Sequence, residues 1–147
     1  MEAKELRIGN LVGIKETALH ADGCNTENAY FEIEELRKDV VLFKGFHAGE
    51  YYKDLKGIVL NAGLLSLYGF DDSEYKRGYT GVEFRTNLIM DFVLTKPFAL
   101  GEWQKNYVYE LHGSRIVQLE FLHELQNFFY EVTTTDLELK HKASACG

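Results

Sequence analysis

The sequence predicts an α+β fold in which antiparallel strands are joined by short turns and an amphipathic helix packs on the last of them. The strand evidence is a series of short segments rich in β-branched and aromatic residues and separated by Gly, Asn and Asp. The helix evidence lies in residues 119–132, where apolar side chains fill one half of a wheel drawn at about 100° per residue. At 147 residues, 46% hydrophobic and 27% charged, the chain has the size and composition of a globular domain.

The first half of the chain predicts a small curled antiparallel sheet. Residues 5–14 form a strand with a turn or bulge at Gly9 and Asn10, because both residue types tolerate the left-handed backbone conformation. Residues 30–36 alternate apolar and acidic side chains, and together with 40–44 they predict a β-hairpin. An SH3-like barrel is one form that such short, closely spaced strands can take.

A short helix and a meander of strands follow in the second half. Asn61 can cap the start of the helix through its side-chain oxygen, and Gly69 fits the left-handed position that ends it. Strand composition recurs at 82–84, 88–95, 107–111 and 114–119, with Pro97 ending the second segment and His112-Gly113 forming the last turn. The amphipathic helix comes next and is expected to fold back over this meander.

The predicted organisation is a single α+β domain over residues 1–139, with 1–57 and 58–139 as candidate sub-units. Gly, Asn and Asp mark loops at 18–28 and 71–81. The small and polar residues of 140–147 predict a flexible tail.

Charge and cysteine content restrict the function classes. Twenty-three acidic against 16 basic side chains give a net charge of −7, which disfavours direct binding to nucleic acid but would suit a basic partner or imitation of DNA. Cys24 and Cys146 form no closely spaced pair, which argues against a disulfide framework or a zinc site. The N-terminus lacks a signal-peptide core, and no apolar run approaches the roughly 20 residues of a membrane span. A cytoplasmic protein with no membrane contact is therefore expected.

The candidate site lies on one edge of the C-terminal helix. His123, Gln126, Asn127 and Tyr130 recur at helical spacing and so share that edge. They could contact a ligand or a partner through hydrogen bonds. Alternatively they form the border where the apolar face meets water, with the amides fixing the helix to a neighbouring loop. The second interpretation is favoured, because catalysis needs a positioned partner group that one helix edge does not supply.

No motif points to an enzyme. The five histidines show no metal-binding spacing, and neither a nucleophile motif nor a phosphate-binding loop is present. We therefore predict no catalytic residue, metal site or cofactor, although a lack of motifs does not exclude an enzyme.

Three segments carry a family resemblance: Glu5-Leu-Arg-Ile-Gly-Asn-Leu-Val12, residues 60–70 ending in Tyr-Gly-Phe, and Leu122-His-Glu-Leu-Gln-Asn-Phe-Phe-Tyr130. Together they resemble an uncharacterised family of small proteins from gut Bacteroidales and their phages or prophages. The family pattern is L-R-I-G-N-x-V, then aromatic-Gly-Phe, then H-x-L-Q-N-aromatic followed by Thr-Gly-Glu. Residues 133–136 read Thr-Thr-Thr-Asp instead, so the helix is expected to end by a different cap.

The resemblance implies a mobile-element context and an accessory role, and it transfers no catalytic residue. The leading hypothesis is a non-enzymatic phage- or prophage-type accessory protein that binds another protein. One alternative is an acidic inhibitor or nucleic-acid mimic directed at a host nucleic-acid-binding or defence protein. Another is a small ligand-binding protein or enzyme with its site at the C-terminal helix edge. The sequence does not distinguish between oligomeric states.

Overall fold

The computed structural model confirms the α+β fold, since its strands form two antiparallel sheets accompanied by one main helix. The structure describes residues 1–15, 30–72, 81–86, 92–99, 101–111 and 114–139. The predicted loop at 18–28, most of that at 71–81, the turn at His112-Gly113 and the tail at 140–147 lie outside these residues. Within them, neither helix combines the length and the apolar character that a membrane crossing requires.

The chain divides into two compact units. Met1–Ile58 and Phe121–Asp136 belong to the first unit, and Val59–Glu120 with the described part of Leu137–His141 forms the second. The main helix therefore groups with the N-terminal strands, and its polar edge finds hydrogen-bonding partners in the residues that lead into the first strand. That its apolar face covers the C-terminal meander stays a prediction.

A five-stranded antiparallel sheet forms the first unit. Its strands are β1 (Leu11–Ile14), β2 (Phe31–Leu36), β3 (Val40–Phe43), β4 (Gly49–Tyr51) and β5 (Leu55–Lys56). The order is β4-β3-β2-β1-β5, and β2 with β3 makes the predicted hairpin. A 3-10 turn at Tyr52–Asp54 returns the chain so that β5 pairs with β1. Closure of this sheet into an SH3-like barrel stays a prediction.

The first strand begins later than the sequence predicts, at Leu11 instead of residue 5. Residues Ala3–Glu5 form a 3-10 helix, and the backbone N–H of Asn10 donates to the carbonyl of Arg7 at 3.1 Å. The interruption expected at Gly9 is thus a complete β-turn, with a φ of +88° at that glycine. The chain can pair as a strand only after this turn.

Alternation along β2 builds the core of the first unit. Phe31 and Ile33 are 3% and 1% exposed, whereas Glu34 lies at the surface. The Phe31 ring lies 5.2 Å from that of Phe43 between centroids, and burying each such side chain contributes about 1.5–3 kcal/mol. The remaining buried members of this cluster are Leu6, Val12, Ile14, Val41 and Leu55.

The second unit contains a short helix and a second antiparallel sheet. Its elements are α1 (Ala62–Leu67), β6 (Phe70–Asp72), β7 (Gly81–Thr86), β8 (Val93–Ala99), β9 (Glu102–Trp103), β10 (Tyr107–Leu111) and β11 (Ser114–Leu119). The strand order is β11-β10-β8-β7-β6, with β9 paired to β8. The helix caps are as predicted: Asn61 Oδ1 accepts from Leu64 N at 2.9 Å, and Gly69 has a φ of +83°.

Pro97 does not end its strand, contrary to the sequence prediction. β8 continues through it to Ala99. The Pro97 carbonyl accepts from Gln104 N at 2.8 Å, on the side where only the two-residue strand β9 lies. Proline has no N–H to donate, so the hydrogen bond that Pro97 cannot make is lost on the side of the short strand β9. The strand tolerates the loss there.

The main helix, α2 (Leu122–Thr133), starts three residues later than predicted, because Leu119 completes β11. Glu124 Oε2 accepts from the backbone N–H of Phe121 at 3.0 Å and so satisfies a donor at the helix start. Most of the predicted apolar face is buried, with Leu122, Leu125 and Phe129 at most 1% exposed, but Val132 at its C-terminal end is 48% exposed. Thr134 follows the helix in the left-handed conformation.

Candidate functional site

The candidate site is built on the turn that precedes β1. In this turn the Asn10 side-chain oxygen accepts from the backbone N–H of Arg7 at 2.7 Å, and Gly9 N donates to the carbonyl of Ile33 at 2.8 Å. Asn10 is only 2% exposed. The turn is therefore stabilised by the side chain of Asn10 and by a backbone hydrogen bond to β2.

Gln126 joins α2 to this turn. Its Oε1 accepts from the backbone N–H of Leu11 at 2.9 Å, and its Nε2 donates to the carbonyl of Gly9 at 3.3 Å. Since this side chain is 7% exposed, its amide supplies the hydrogen bonds that water would otherwise give to two backbone groups.

Asn127 makes a second bridge. Its Oδ1 accepts from Asn10 Nδ2 at 2.9 Å, and its Nδ2 donates to the carbonyl of Glu5 at 2.8 Å. Both amides of the predicted site are thus engaged in intramolecular hydrogen bonds. The L-R-I-G-N and H-x-L-Q-N segments bond to each other, and we call this arrangement of Asn10, Gln126 and Asn127 the amide clamp.

His123 faces inward. It is 3% exposed, its ring stacks on Phe121 at 5.8 Å between centroids, and its Nδ1 has no hydrogen-bond partner among the described residues. Burial lowers the pKa of His123 below its ordinary value, and the nearby carboxylates of Glu124 and Glu5 oppose that shift. The imidazole is therefore held in its neutral form at neutral pH.

Tyr130 faces outward and is 38% exposed. The Arg7 guanidinium carbon lies 3.8 Å above the centre of its ring, a cation–π geometry. Arg7 also approaches Asp136, with 3.5 Å between nitrogen and oxygen. Its chain neighbour Ile8 is 63% exposed. We call Arg7, Ile8 and Tyr130 the Arg7 patch.

The four predicted site residues therefore divide into three roles. Gln126 and Asn127 fix the helix to the turn, His123 lies in the interior, and only Tyr130 is at the surface. Sequence analysis missed Asn10, Arg7 and Ile8 as parts of the site, although all three stand in the L-R-I-G-N segment. The signal that could have found them is the pairing of this segment with the helix segment.

The Arg7 patch is the part of this site that is most exposed to solvent. In the described part of the chain, no group of three or more His, Cys, Asp and Glu side chains is placed to hold a metal ion. His123 is enclosed, so it has no access to a reacting group in solution. The surface that remains offers an aromatic ring, a guanidinium and an aliphatic side chain.

Comparison with known proteins gives no further assignment, because no family model, curated protein or solved structure matches the chain. The resemblance to the Bacteroidales family thus stays a prediction.

Proposed function

We propose that this protein is a non-enzymatic phage- or prophage-type accessory protein that binds another protein through the Arg7 patch. The observation that carries the proposal is that Ile8 is exposed on the turn next to Arg7, whose guanidinium lies over the exposed Tyr130 ring on α2. Tyr and Arg are enriched among the residues that dominate binding energy at protein interfaces. An exposed isoleucine beside them adds apolar area that a partner can bury.

The amide clamp supports the proposal because it fixes the patch before binding. The turn carries Arg7 and Ile8, and the helix carries Tyr130 one turn beyond the clamp. A surface that is already ordered loses less conformational entropy on association than a flexible one.

Charge indicates the kind of partner. The chain carries −7 overall, and Glu5, Glu131 and Asp136 lie close to the patch in sequence. We therefore infer a partner with an apolar pocket for Ile8 and Tyr130, surrounded by basic residues. Complementary charge of this kind speeds association and favours the correct partner.

The test compares two variants that place the same charge on different exposed aliphatic side chains. Ile8 is 63% exposed and Val59 is 52% exposed, so neither Ile8→Glu nor Val59→Glu disrupts a core. Wild type and both variants are used to capture proteins from bacterial host lysate, with quantification by mass spectrometry. Binding of the captured partner is then measured by calorimetry with purified proteins.

We expect to capture a partner protein that both wild type and Val59→Glu retain. Ile8→Glu and Tyr130→Ala should bind this partner at least about tenfold more weakly than wild type does. The proposal fails if no protein is captured reproducibly. It also fails if the purified partner binds Ile8→Glu as tightly as wild type.

A second candidate function is inhibition of a host nucleic-acid-binding or defence protein by an acidic surface. The net charge of −7 favours it. Such binding depends on ion pairs, so its affinity should fall steeply between low and physiological salt. Binding that does not change with salt, and that DNA does not displace, would exclude this candidate while leaving the Arg7 patch in place.

A further inference from the structure

A second candidate binding site lies within Val59–Glu120. A cavity of about 260 Å³ opens beside β8, the β9–β10 connection and β11. Its polar walls come from Gln104, Lys105, Asn106, Gln118 and Glu120, and Pro97 and Val108 provide an apolar wall.

The connection that forms one wall is held in place from several sides. Lys96 Nζ donates to the carbonyl of Lys105 at 2.6 Å, and the same nitrogen lies over the Tyr107 ring, 4.7 Å from the ring centre. Asn106 Nδ2 donates to Gln118 Oε1 at 3.3 Å and so ties the connection to β11. The cavity is therefore shaped before any ligand enters.

The formal charge of the cavity walls is zero. The Lys105 ammonium pairs with the Glu120 carboxylate, and the other polar groups are amides. An anionic ligand would meet Glu120 and a cationic ligand would meet Lys105. A neutral ligand with several hydroxyl groups suits these walls better, since each hydroxyl both donates and accepts a hydrogen bond.

One wall atom lacks a partner. Asn106 Oδ1 is shielded from solvent and accepts no hydrogen bond from the described residues. Buried acceptors are normally satisfied, so this oxygen indicates a missing donor. A ligand hydroxyl could reach this oxygen only if the Asn106 amide moved away from Gln118 Oε1.

We propose that this cavity binds a neutral monosaccharide of hexose size. The volume lies just below the range of about 300–1,000 Å³ that holds drug-sized ligands, which fits a smaller molecule. The hydroxyls of the sugar bond to the amides of Asn106 and Gln118, whereas Pro97 and Val108 are buried and contribute little contact area. The site is separate from the Arg7 patch, and its occupation does not depend on the function proposed for that patch.

The test is a titration of the full ¹⁵N-labelled chain with D-glucose, D-galactose and D-mannose, followed by backbone amide chemical shifts. We expect saturable shifts at residues 104–106 and at Gln118 with at least one hexose in the millimolar range. Asn106→Ala and Gln118→Ala should each weaken binding at least about tenfold, whereas Lys38→Ala, an exposed change on the β2–β3 turn, should not.

Gln118 is exposed, so Gln118→Ala keeps the fold even if Asn106→Ala does not. The proposal is overturned if no hexose gives saturable shifts, if the shifts lie elsewhere, or if Gln118→Ala binds like wild type. A parallel titration with inorganic phosphate tests whether the cavity prefers an anion to a neutral ligand. If phosphate gives stronger shifts at the same amides than any hexose, the hexose proposal is also overturned.

Discussion

The side-chain oxygen of Gln126 accepts a hydrogen bond from the backbone N–H of Leu11 at 2.9 Å, across 115 positions of the sequence. The same side chain donates to the carbonyl of Gly9 at 3.3 Å. These two bonds connect α2 to the residues where β1 begins. This helix edge therefore helps to hold the first unit together, with Gln126 bonded to the turn before β1.

Gln126→Ala tests this role. The substitution leaves the Leu11 N–H and the Gly9 carbonyl, both only partly buried, without their partner, and each lost hydrogen bond costs about 0.5–1.5 kcal/mol. We expect the free energy of unfolding, measured with urea, to fall by about 1–3 kcal/mol. Glu131→Ala, on the exposed face of the same helix, is the control and should change stability by about 0.5 kcal/mol or less. Equal effects of the two variants would contradict a structural role for the clamp.

Elements with local signals could be predicted from the sequence. The cap at Asn61 and the stop at Gly69 depend on residues within one or two helical turns, and both are as expected. The β2–β3 hairpin likewise follows from alternation and a short turn. In each case the residues that decide the structure are neighbours in the chain.

The residues that bond to the polar edge of α2 could not be predicted in this way. Its amphipathic pattern shows that one face is buried, but not what covers that face. The deciding contacts join Gln126 and Asn127 to Glu5, Gly9 and Leu11, and periodicity contains no information about such distant pairs. The spacing of the four residues on one helix edge could be read from the sequence, whereas the hydrogen bonds of Gln126 and Asn127 and the exposure of Tyr130 required the fold.

Thr134→Gly should stabilise the protein. Thr134 has a φ of 57°, a left-handed conformation that β-branched residues adopt at a cost of roughly 1–2 kcal/mol and that glycine adopts readily. It follows α2 directly, and its N–H donates to the carbonyl of Tyr130 at 2.7 Å, a bond that glycine retains. We expect a gain of about 1 kcal/mol in the free energy of unfolding.

The control for this change is Thr135→Gly. Among the described residues other than glycine, Thr134 alone has a positive φ, so Thr135 gains nothing from glycine and loses conformational restriction in the unfolded chain. If Thr134→Gly and Thr135→Gly lower the free energy of unfolding by the same amount, Thr134 carries no backbone strain that glycine relieves.

Gly57→Ala should destabilise the first unit. A Cβ at Gly57 would overlap the ring of Phe121, the residue that precedes α2. The close approach follows from the bond between Leu122 N and the carbonyl of Ile58 at 2.8 Å, which holds the two segments side by side. Overpacking of this kind costs about 1–3 kcal/mol, measurable as a lower urea midpoint.

Gly13→Ala is the matched control. The three heavy atoms nearest to its added Cβ are side-chain carbons of Lys56, the closest at 3.0 Å, and that flexible chain can move aside. The double change Gly57→Ala with Phe121→Leu should recover part of the loss, because the smaller side chain frees the space. No recovery would indicate that the backbone at Gly57, not the Phe121 ring, sets the requirement for glycine.

His123 should make stability depend on pH. Burial lowers its pKa in the folded state, while in the unfolded chain the imidazole titrates near its ordinary value of about 6.5. Between these two values the unfolded state binds more protons than the folded state, so the free energy of unfolding rises with pH in that window. The contribution is complete above about pH 6.5 and is lost progressively as the pH falls below it.

The measurement is the urea midpoint at several pH values from neutral to mildly acidic, for wild type, His123→Phe and the exposed control His47→Gln. His123→Phe keeps an aromatic ring against Phe121 but has no group that titrates in this range. Its stability should therefore fall less than that of wild type on acidification, while His47→Gln should follow wild type. Carboxylates far from His123 contribute equally to all three proteins, so the difference between the curves reports the buried imidazole together with its interaction with Glu124 and Glu5. Parallel curves for wild type and His123→Phe would show that His123 is protonated at no cost to the folded state.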